Sequence, residues 1–322
     1  MVDIADKKIV AIGGGTGLST MLRGLKAYTE HITAIVTVAD DGGGSGMIRE
    51  DLHLLPPGDI RNCILALADT EPIMEKLMSY RFDGGRLKGQ SFGNLFLAAM
   101  CGISDNFEQG VRRVSDVLAV KGRVLPVTEQ NVSLGAEFED GTIVMGESII
   151  PKKSTEYGSH ISTVFLSPKS VRPVPDCLKA LAESDLIVLG PGSLYTSIIP
   201  NLLVEGIPEA ILNSRARAVY VCNVMTQMGE SEDMTAFDHV KAVTSHAGGG
   251  IIDVCLANTQ AVPEELREKY KAEHSAPVEV DAGRFAGSGV KLVERELLDV
   301  SKGYARHDYR RLAQAIAELL ED

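Results

Sequence analysis

The first forty residues alternate short buried runs with a glycine turn and an amphipathic segment. Lys8 to Ile12 predicts a buried strand, and Leu18 to Tyr28 carries its apolar residues at helical spacing. Ile32 to Val38 is rich in β-branched residues and predicts a second buried strand. A strand, a glycine turn, a helix and a strand in this order predict a βαβ unit, and hence a parallel sheet with a right-handed crossover.

The pattern changes near Gly122 and later returns. Residues 123–174 alternate in polarity, and Asp140-Gly141 is a hairpin signal, so this stretch predicts a β-rich insertion or lobe. The remaining segments predict helices over 72–80, 93–100, 106–120 and 309–320, and strands over 185–189, 219–223 and 251–257. The sequence therefore predicts a Rossmann-like α/β fold, with a mostly parallel sheet flanked by helices, as one domain over 1–322.

Composition narrows the class of protein without identifying a ligand. The chain has 322 residues, of which 44% are hydrophobic and 24% charged, as in an ordinary globular protein. Its net charge of −12 disfavours non-specific binding to nucleic acid or to an anionic membrane. A local phosphate site stays open, because backbone N–H groups bind anions whatever the net charge.

Cysteine and histidine spacing excludes the common metal frameworks. The five cysteines show no Cys-x-x-Cys spacing, and the seven histidines show no metal-ligand spacing. No signal peptide and no apolar run long enough to span a bilayer is visible. We therefore expect a reduced, cytoplasmic protein without membrane insertion.

The run Gly13-Gly14-Gly15-Thr16-Gly17 lies between a predicted strand and a predicted helix. Glycines let the backbone approach a ligand closely, and the helix N-terminus supplies free N–H groups with a partial positive charge. No Gly-Lys-Ser/Thr follows, and Leu18 stands where a dinucleotide fingerprint has its last glycine. The run predicts an anion site of neither standard type, the alternative being a tight turn without ligand.

Three further polar–glycine segments extend this interpretation. Residues 40–46 follow the second strand, where a carboxylate can bond a ribose hydroxyl or hold a metal and the glycines can form a closing loop. Residues 58–62 open a helix that Asp59 is expected to cap, and Arg61 can pair with phosphate. Asn94 either caps the next helix or reaches a base or sugar. For the loop at 40–46, a surface turn is the alternative.

Gly190-Pro191-Gly192-Ser193-Leu194 repeats the strand–loop–helix arrangement in the second half. Ser193 stands at an N-cap or phosphate position, and Asn223 ends a nearby strand. Two such loops in one chain predict a two-sided cleft that binds two phosphates, or a ligand and a co-substrate. Near the C-terminus, Asp308 is expected to cap the last helix, and Arg306 is free to contact an anion.

These motifs, taken in order, resemble the CofD/YvcK-like family. They are Gly-Gly-Gly-Thr-Gly at 13–17, Val-Ala-Asp-Asp-Gly-Gly-Gly-Ser-Gly at 38–46, Pro-Pro-Gly-Asp-Ile-Arg-Asn at 56–62, Gly-Asn at 93–94 and Gly-Pro-Gly-Ser-Leu at 190–194. The resemblance covers nearly the whole chain and is closer to the bacterial YvcK branch of gluconeogenesis factors than to the CofD transferases.

The resemblance implies a function that the motifs alone do not reveal. The YvcK branch is associated with cell shape, peptidoglycan synthesis and growth on gluconeogenic carbon sources, with UDP-sugars, especially UDP-N-acetylglucosamine, as ligands. It further implies Tyr270 and Arg306 as contacts of the uridine or diphosphate. Tyr309 stands where some relatives carry a phosphorylatable Thr. Together, the motifs and the resemblance give these candidate ligand-binding residues: Gly13, Gly14, Gly15, Thr16, Gly17, Asp40, Asp41, Ser45, Asp59, Arg61, Asn62, Asn94, Gly190, Gly192, Ser193, Leu194, Asn223, Tyr270 and Arg306.

Two functions follow, and they belong to different classes. The first is a non-catalytic sensor that binds a UDP-sugar, needs no cofactor and reports to cell-wall synthesis proteins. The second is a CofD-like transferase that moves a phospholactyl group from a nucleotide to a deazaflavin, with Asp40 or Asp41 holding Mg²⁺. An NAD-dependent oxidoreductase ranks last because the dinucleotide fingerprint is incomplete, although NAD or another nucleotide can occupy such a cleft. The sequence leaves a homo-oligomer open.

Overall fold

A single parallel sheet organises the molecule. The computed structural model describes residues 3–321 and contains within that range twelve strands: β1 (Ile9–Gly13), β2 (Ile32–Val36), β3 (Arg123–Pro126), β4 (Ser133–Phe138), β5 (Ile143–Met145), β6 (Ile161–Ser167), β7 (Leu186–Leu189), β8 (Arg217–Val221), β9 (Val254–Asn258), β10 (Lys291–Arg295), β11 (Leu298–Asp299) and β12 (Arg306–His307). Seven of them form the central sheet in the order β10-β9-β8-β7-β1-β2-β3. Every pairing in that sheet is parallel, so the predicted Rossmann-like α/β fold is confirmed.

Helices connect these strands. Between residues 3 and 321 they are α1 (Gly15–Leu25), α2 (Gly43–Leu52), α3 (Gly58–Leu67), α4 (Pro72–Ser79), α5 (Phe92–Gly102), α6 (Phe107–Val117), α7 (Ile150–Tyr157), α8 (Pro175–Ala182), α9 (Ile199–Leu202), α10 (Ile207–Asn213), α11 (Ala236–Ala247), α12 (Glu264–Lys271), α13 (Ala282–Phe285) and α14 (Tyr309–Glu318). A 3-10 turn over Gly85–Leu87 and a π-helical turn over Leu194–Ile198 complete the set.

The order of the strands reverses at β1. The chain builds outward from β1 through β2 to β3, then returns so that β7 pairs with the other side of β1 and β8, β9 and β10 continue outward. Ile9 pairs with Ile32 on one side and with Leu186 on the other. In open parallel sheets, ligands bind at such a switch point, beyond the carboxyl ends of the strands. The loops after β1 and β7 therefore face one crevice.

The core follows from the apolar runs that predict the strands. All residues of β1, β2 and β7 are buried. Helix α1 covers this region with Leu18, Met21 and Leu22, none of which is exposed to solvent. Burying a large aliphatic side chain contributes about 1.5–3 kcal/mol each, so these contacts fix the sheet beneath the loops.

A small antiparallel sheet forms the lobe of the molecule, in the order β5-β4-β6, with α7 between β5 and β6. The Asp140-Gly141 hairpin is present: Gly141 has φ +83° and its N–H donates to the carbonyl of Phe138. The segment 123–126, which the polarity pattern assigns to the lobe, is instead β3 at the edge of the central sheet. Only Arg123 of this strand is exposed and its other three residues are buried, so these four residues alone do not show which sheet the strand joins.

Two glycine segments differ from the prediction. Helix α1 begins at Gly15, three residues before the predicted start at Leu18, and α2 begins at Gly43. The predicted closing loop at 40–46 is therefore largely a helix N-terminus. Glycine lowers helix propensity, which hides such starts from sequence patterns, but the following residues propagate the helix.

The five cysteines are all buried, and none of them forms a disulfide. Within residues 3–321, no helix combines the length and the apolar character that crossing a bilayer requires.

Candidate functional site

A cavity of about 370 Å³ lies at the switch point of the sheet. The segments after β1, β7 and β8, the region of α12 and the C-terminal strand β12 all contribute to its wall. The lining residues are Gly15, Thr16, Gly17, Thr20, Pro191, Gly192, Ser193, Ser197, Asn223, Val224, Met225, Thr226, Gln227, Tyr270, Ser275, Ala305, Arg306 and His307. Of the predicted ligand-binding residues, eight line it: Gly15, Thr16, Gly17, Gly192, Ser193, Asn223, Tyr270 and Arg306.

The two predicted glycine loops touch each other at this cavity. A Cβ on Gly17 would lie 2.6 Å from the carbonyl oxygen of Pro191, so only glycine allows the loops to approach this closely. Asn223 Nδ2 donates a hydrogen bond to the carbonyl of Gly192 over 2.8 Å, which ties the second loop to the end of β8. Gly13, Gly14, Gly190 and Leu194 belong to these loops but do not line the cavity.

The N-terminus of α1 is partly occupied by a carboxylate of the protein itself. Asp59 accepts a hydrogen bond from the backbone N–H of Gly15. Burial raises the pKa of Asp59 to about 6, and this hydrogen bond opposes the shift. A Cβ on Gly14 would lie 2.7 Å from Asp59 Oδ2, so the carboxylate sits directly behind the loop. The next residues of α1, Thr16 and Gly17, remain at the cavity wall.

The second loop also faces a carboxylate. Glu230 Oε2 accepts from the backbone N–H of Tyr195 over 3.2 Å, and Glu230 Oε1 accepts from Thr196 Oγ1 over 3.0 Å. Gln227 Nε2 donates to Glu230 Oε1 over 2.9 Å, while Gln227 Oε1 accepts from Ser193 Oγ over 2.8 Å. Burial raises the pKa of Glu230 to about 7. The predicted capping role of Ser193 is not seen, because its hydroxyl donates to Gln227 instead.

A C-terminal hairpin closes one side of the cavity. Arg306 Nη1 donates to Thr16 Oγ1 over 3.3 Å, and the hydroxyl of Tyr270 accepts from the N–H of Ala305 over 3.1 Å. Val224, Val262, Leu298 and Ala305 form a small apolar cluster of their own beside them, with Met225, Leu266 and Tyr270 packed against it. Tyr270 is therefore packed against Ala305, the residue that directly precedes Arg306.

The aspartates of residues 40–46 lie near the lobe. Asp41 accepts from the N–H groups of Glu147 and Ser148 over 3.1 and 2.9 Å, and Asp40 Oδ1 accepts from the N–H of Gly42 over 2.9 Å. Ser45 is buried against the start of α3, where a Cβ on Gly58 would meet its hydroxyl. None of these three predicted site residues lines the cavity. Asp41 instead fastens the lobe to the central sheet.

The polar residues around 58–62 and 91–94 join α3 to α5. Arg61 donates through Nη1 to Ser91 Oγ and through Nη2 to Asn62 Oδ1, each over 2.6 Å. Two capping predictions are wrong here. Pro57 holds the N-cap position of α3, with Asp59 in the first turn, and Ser91 caps α5 by accepting from the N–H of Asn94. Arg61, Asn62 and Asn94 lie away from the cavity wall.

The lobe residue Glu147 lies close enough to four other carboxylates to feel their charge. Burial raises the pKa of Glu147 to about 8, and the negative charges of Asp40, Glu230, Asp41 and Asp59 add to the shift. No group of three or more His, Cys, Asp or Glu residues suited to a metal ion occurs in the part of the chain described. Because Asp41 is held by two backbone N–H groups, a cation here would need oxygens from a ligand to complete its coordination.

Residues that the sequence patterns missed also line the cavity. Thr226 and Gln227 follow β8, and His307 lies in β12. Burial lowers the pKa of His307 to about 4, and a hydrogen bond with the Cys222 backbone opposes the shift, so the ring is neutral near pH 7. For Thr226 and Gln227, the sequence offers one indication of a site, namely that they follow a strand of the parallel sheet. His307 stands between Arg306 and Asp308 in the sequence, a pattern typical of an exposed residue, so its burial in the cavity wall was not predicted.

A family model matches most of the chain. The model describes the 2-phospho-L-lactate transferase CofD, and the match covers residues 9–298. This range contains the glycine loops, the lobe and the central sheet. It stops before Arg306 and His307, so this match does not cover the end of the cavity formed by β12.

Whole-length relatives give a closer comparison. A protein from Thermoanaerobacterium thermosulfurigenes is 56% identical over 314 residues, which are 98% of this chain and 97% of that protein. The gluconeogenesis factor of Bacillus subtilis is 48% identical over 316 residues, 98% of each chain. A crystal structure of a UPF0052 family member from Bacillus halodurans superposes with a TM-score of 0.93 at 47% identity, covering 96% of this chain and 99% of that one.

Proposed function

Because the chain belongs to the CofD family, within its group of gluconeogenesis factors, we propose that it is a regulatory protein that binds a nucleotide sugar. The expected ligand is of the UDP-N-acetylglucosamine type. The expected output is control of cell shape and peptidoglycan synthesis during gluconeogenic growth, through contacts with cell-wall synthesis proteins in the cytoplasm. This cellular role rests on the family resemblance.

The contact between Gly17 and Pro191 is the observation that carries this proposal. It merges the two glycine loops into one wall, so that a single elongated ligand can touch both. A cavity of about 370 Å³ falls in the usual range for small-molecule sites, roughly 300–1,000 Å³. Arg306 stands at the α1 end, where a guanidinium can pair with a diphosphate through its planar fork.

The side chains at the cavity wall suit binding better than group transfer. His307 is neutral and buried, and the hydroxyl of Tyr270 is bonded to the backbone. The remaining polar groups are hydroxyls, amides and one guanidinium. Such groups hydrogen-bond a nucleotide sugar well, but nucleophilic catalysis needs a hydroxyl next to a base.

Titration calorimetry tests this proposal. We expect UDP-N-acetylglucosamine to bind more tightly than UDP-glucose, NAD or GTP, and Arg306→Ala to weaken binding about tenfold through loss of a charged hydrogen bond. Arg310→Ala is the matched control, because Arg310 donates to the Tyr309 hydroxyl and does not line the cavity. The proposal is wrong if neither UDP-sugar binds at high micromolar concentration.

The interacting carboxylates favour a CofD-like transferase as the second candidate. Burial raises the pKa of Asp59 and of Glu147, and the negative charge of Asp40 adds to both shifts, a situation that a bound cation relieves. Asp40 and Asp59 would hold Mg²⁺ together with a nucleotide diphosphate, where the ion supplies charge stabilisation.

Assay with a nucleotide-activated phospholactate, a deazaflavin and Mg²⁺ tests this second candidate. A metal-dependent product that disappears in Asp40→Asn would support it. Asp41→Asn serves as the comparison, because Asp41 is committed to the lobe backbone. Absence of product with the wild-type protein would rule this candidate out.

A further inference from the structure

Ser193, in the second glycine loop, lines the cavity and donates its hydroxyl proton to another residue of the cavity wall, Gln227. Its Oγ lies 2.8 Å from Gln227 Oε1, the acceptor end of that amide. A serine hydroxyl has one proton and two lone pairs. With the proton committed to Gln227, Ser193 presents only lone pairs to any other group.

The orientation of Gln227 is fixed by its other neighbour. Its Nε2 donates over 2.9 Å to Glu230 Oε1, and at pH 8, above the pKa of Glu230 of about 7, the ionised carboxylate can only accept. Turning the amide over would place its carbonyl oxygen against that carboxylate and leave the Ser193 proton facing an N–H group. Glu230 is itself fixed by donors from Tyr195 and Thr196. Its buried carboxylate thus determines the polarity of the chain Glu230–Gln227–Ser193.

The same carboxylate occupies the N-terminus that follows the loop. The N–H of Tyr195 donates to Glu230 Oε2, so the carboxyl group of Glu230 already occupies this helix end, where a phosphate would otherwise bind. The first loop keeps Thr16 and Gly17 at the cavity wall, with Arg306 beside them. The two loops therefore differ in what they can bind, although their sequences predict two phosphate sites.

We propose that Ser193 is an acceptor for a ligand O–H or N–H group, that Gln227 and Glu230 are positioning residues that impose this role, and that the phosphates lie against the first loop and Arg306. This inference rests on the proposed function, since the ligand is taken to be a nucleotide sugar. A diphosphate ester carries no proton near neutral pH and cannot satisfy Ser193. A ribose hydroxyl, a sugar hydroxyl or an N-acetyl N–H can.

Calorimetry at pH 8 with a set of ligands tests the role of Ser193. The probes are UDP-N-acetylglucosamine, its monodeoxy forms at each ribose and sugar hydroxyl, its 2-deoxy form without the acetamido group, and inorganic pyrophosphate. We expect Ser193→Ala to weaken the parent ligand about 5- to 10-fold, the effect of one neutral hydrogen bond. One analogue, the one lacking the contacted group, should bind wild type and Ser193→Ala equally, and pyrophosphate affinity should not change.

Glu230→Gln tests the positioning chain. The new amide can donate to Gln227, which lets Gln227 turn over and frees the Ser193 proton to point into the cavity. We expect the preference for the parent over the contacted analogue to shrink toward unity in Glu230→Gln. A merely structural role would weaken both ligands by the same factor. Ser288→Ala, whose hydroxyl bonds the Phe285 carbonyl outside the cavity, is the control.

The results distinguish a failure of the Ser193 inference from a failure of the proposed function. An equal loss in Ser193→Ala for all analogues, or weakened pyrophosphate binding, would overturn the inference while leaving UDP-sugar binding intact. If wild type binds only GTP or NAD, the proposed function fails, and the same comparison is made with deoxy forms of that ligand. If no nucleotide binds, the Ser193 inference and the proposed function are both wrong.

Discussion

Arg306 Nη1 donates to Thr16 Oγ1 over 3.3 Å, a contact that spans 290 positions of the sequence. It joins the C-terminal hairpin to the first glycine loop, so the two ends of the chain form one side of the cavity. Arg306→Lys is expected to lower nucleotide-sugar affinity nearly as much as Arg306→Ala, about 5- to 10-fold, because an ammonium lacks the planar fork. Calorimetry of both variants checks this. Full affinity in Arg306→Lys would show that charge alone suffices.

Tyr270→Phe removes one hydroxyl and keeps the ring. We expect a loss of about 1 kcal/mol of unfolding free energy, because the N–H of Ala305 loses its acceptor, and a roughly threefold loss of ligand affinity as Arg306 becomes less well held. Chemical denaturation and calorimetry measure the two effects. Tyr304→Phe is the matched control, since Tyr304 is half exposed. Equal effects in both variants would contradict the assigned role of the Tyr270 hydroxyl.

Glu147→Gln should stabilise the protein at alkaline pH. The pKa of Glu147 is raised from 4.5 to about 8, so the folded state binds a proton more tightly than the unfolded state. Its contribution to stability is therefore fully present below about pH 4.5 and is lost as the pH rises through 8. We expect the variant to gain about 1–2 kcal/mol at pH 9, after discounting for partial exposure, and little at pH 5.

Thermal melts of wild type and Glu147→Gln between pH 5 and 9 measure this difference. Glu137→Gln, on an exposed position of β4, is the control in the same lobe. A melting temperature that stays lower in Glu147→Gln than in wild type at pH 9 would mean that the carboxylate is paired with a cation in solution.

Gly24→Ala should be strongly destabilising. The new Cβ would overlap the carbonyl of Tyr309 and the side chain of Ala313, where α1 packs on α14. We expect a loss of about 2–4 kcal/mol, in the range of overpacked core sites. Gly102→Ala, at the end of α5, meets no atom within 4 Å and should be neutral or slightly stabilising. Urea denaturation of both variants decides whether helix propensity or close packing governs these glycines.

The central sheet was predictable because apolar runs such as those at 9–12 and 32–36 are local signals. The first residues of the helices were harder to predict, because α1 begins at Gly15 and α2 at Gly43, within glycine-rich sequence that is typical of loops. β3 was assigned to the lobe because it directly precedes the lobe strands in the sequence, although it pairs with β2. Local periodicity identifies a strand but does not say which sheet it joins.

The candidate site was predictable at the glycine loops, and less so where buried side chains pair with groups distant in sequence. The glycines at 15, 17 and 192 line the cavity because strand–loop–helix order fixes where they lie. The sequence could not show that Asp59 would bond Gly15 or that Glu230 would bond Tyr195, because each pairing depends on tertiary packing. Likewise, no local pattern indicates that Asp41 accepts hydrogen bonds from the lobe backbone.

The contact between residues 16 and 306 also bears on biosynthesis. A ribosome releases the N-terminal βαβ unit long before β12, so the glycine loop spends most of translation without its arginine. All seven strands of the central sheet end by Arg295, so every strand of the sheet is synthesised before Arg306. Under the proposed function, full ligand affinity is therefore acquired last, because a chain that stops before Arg306 lacks the guanidinium that contacts Thr16.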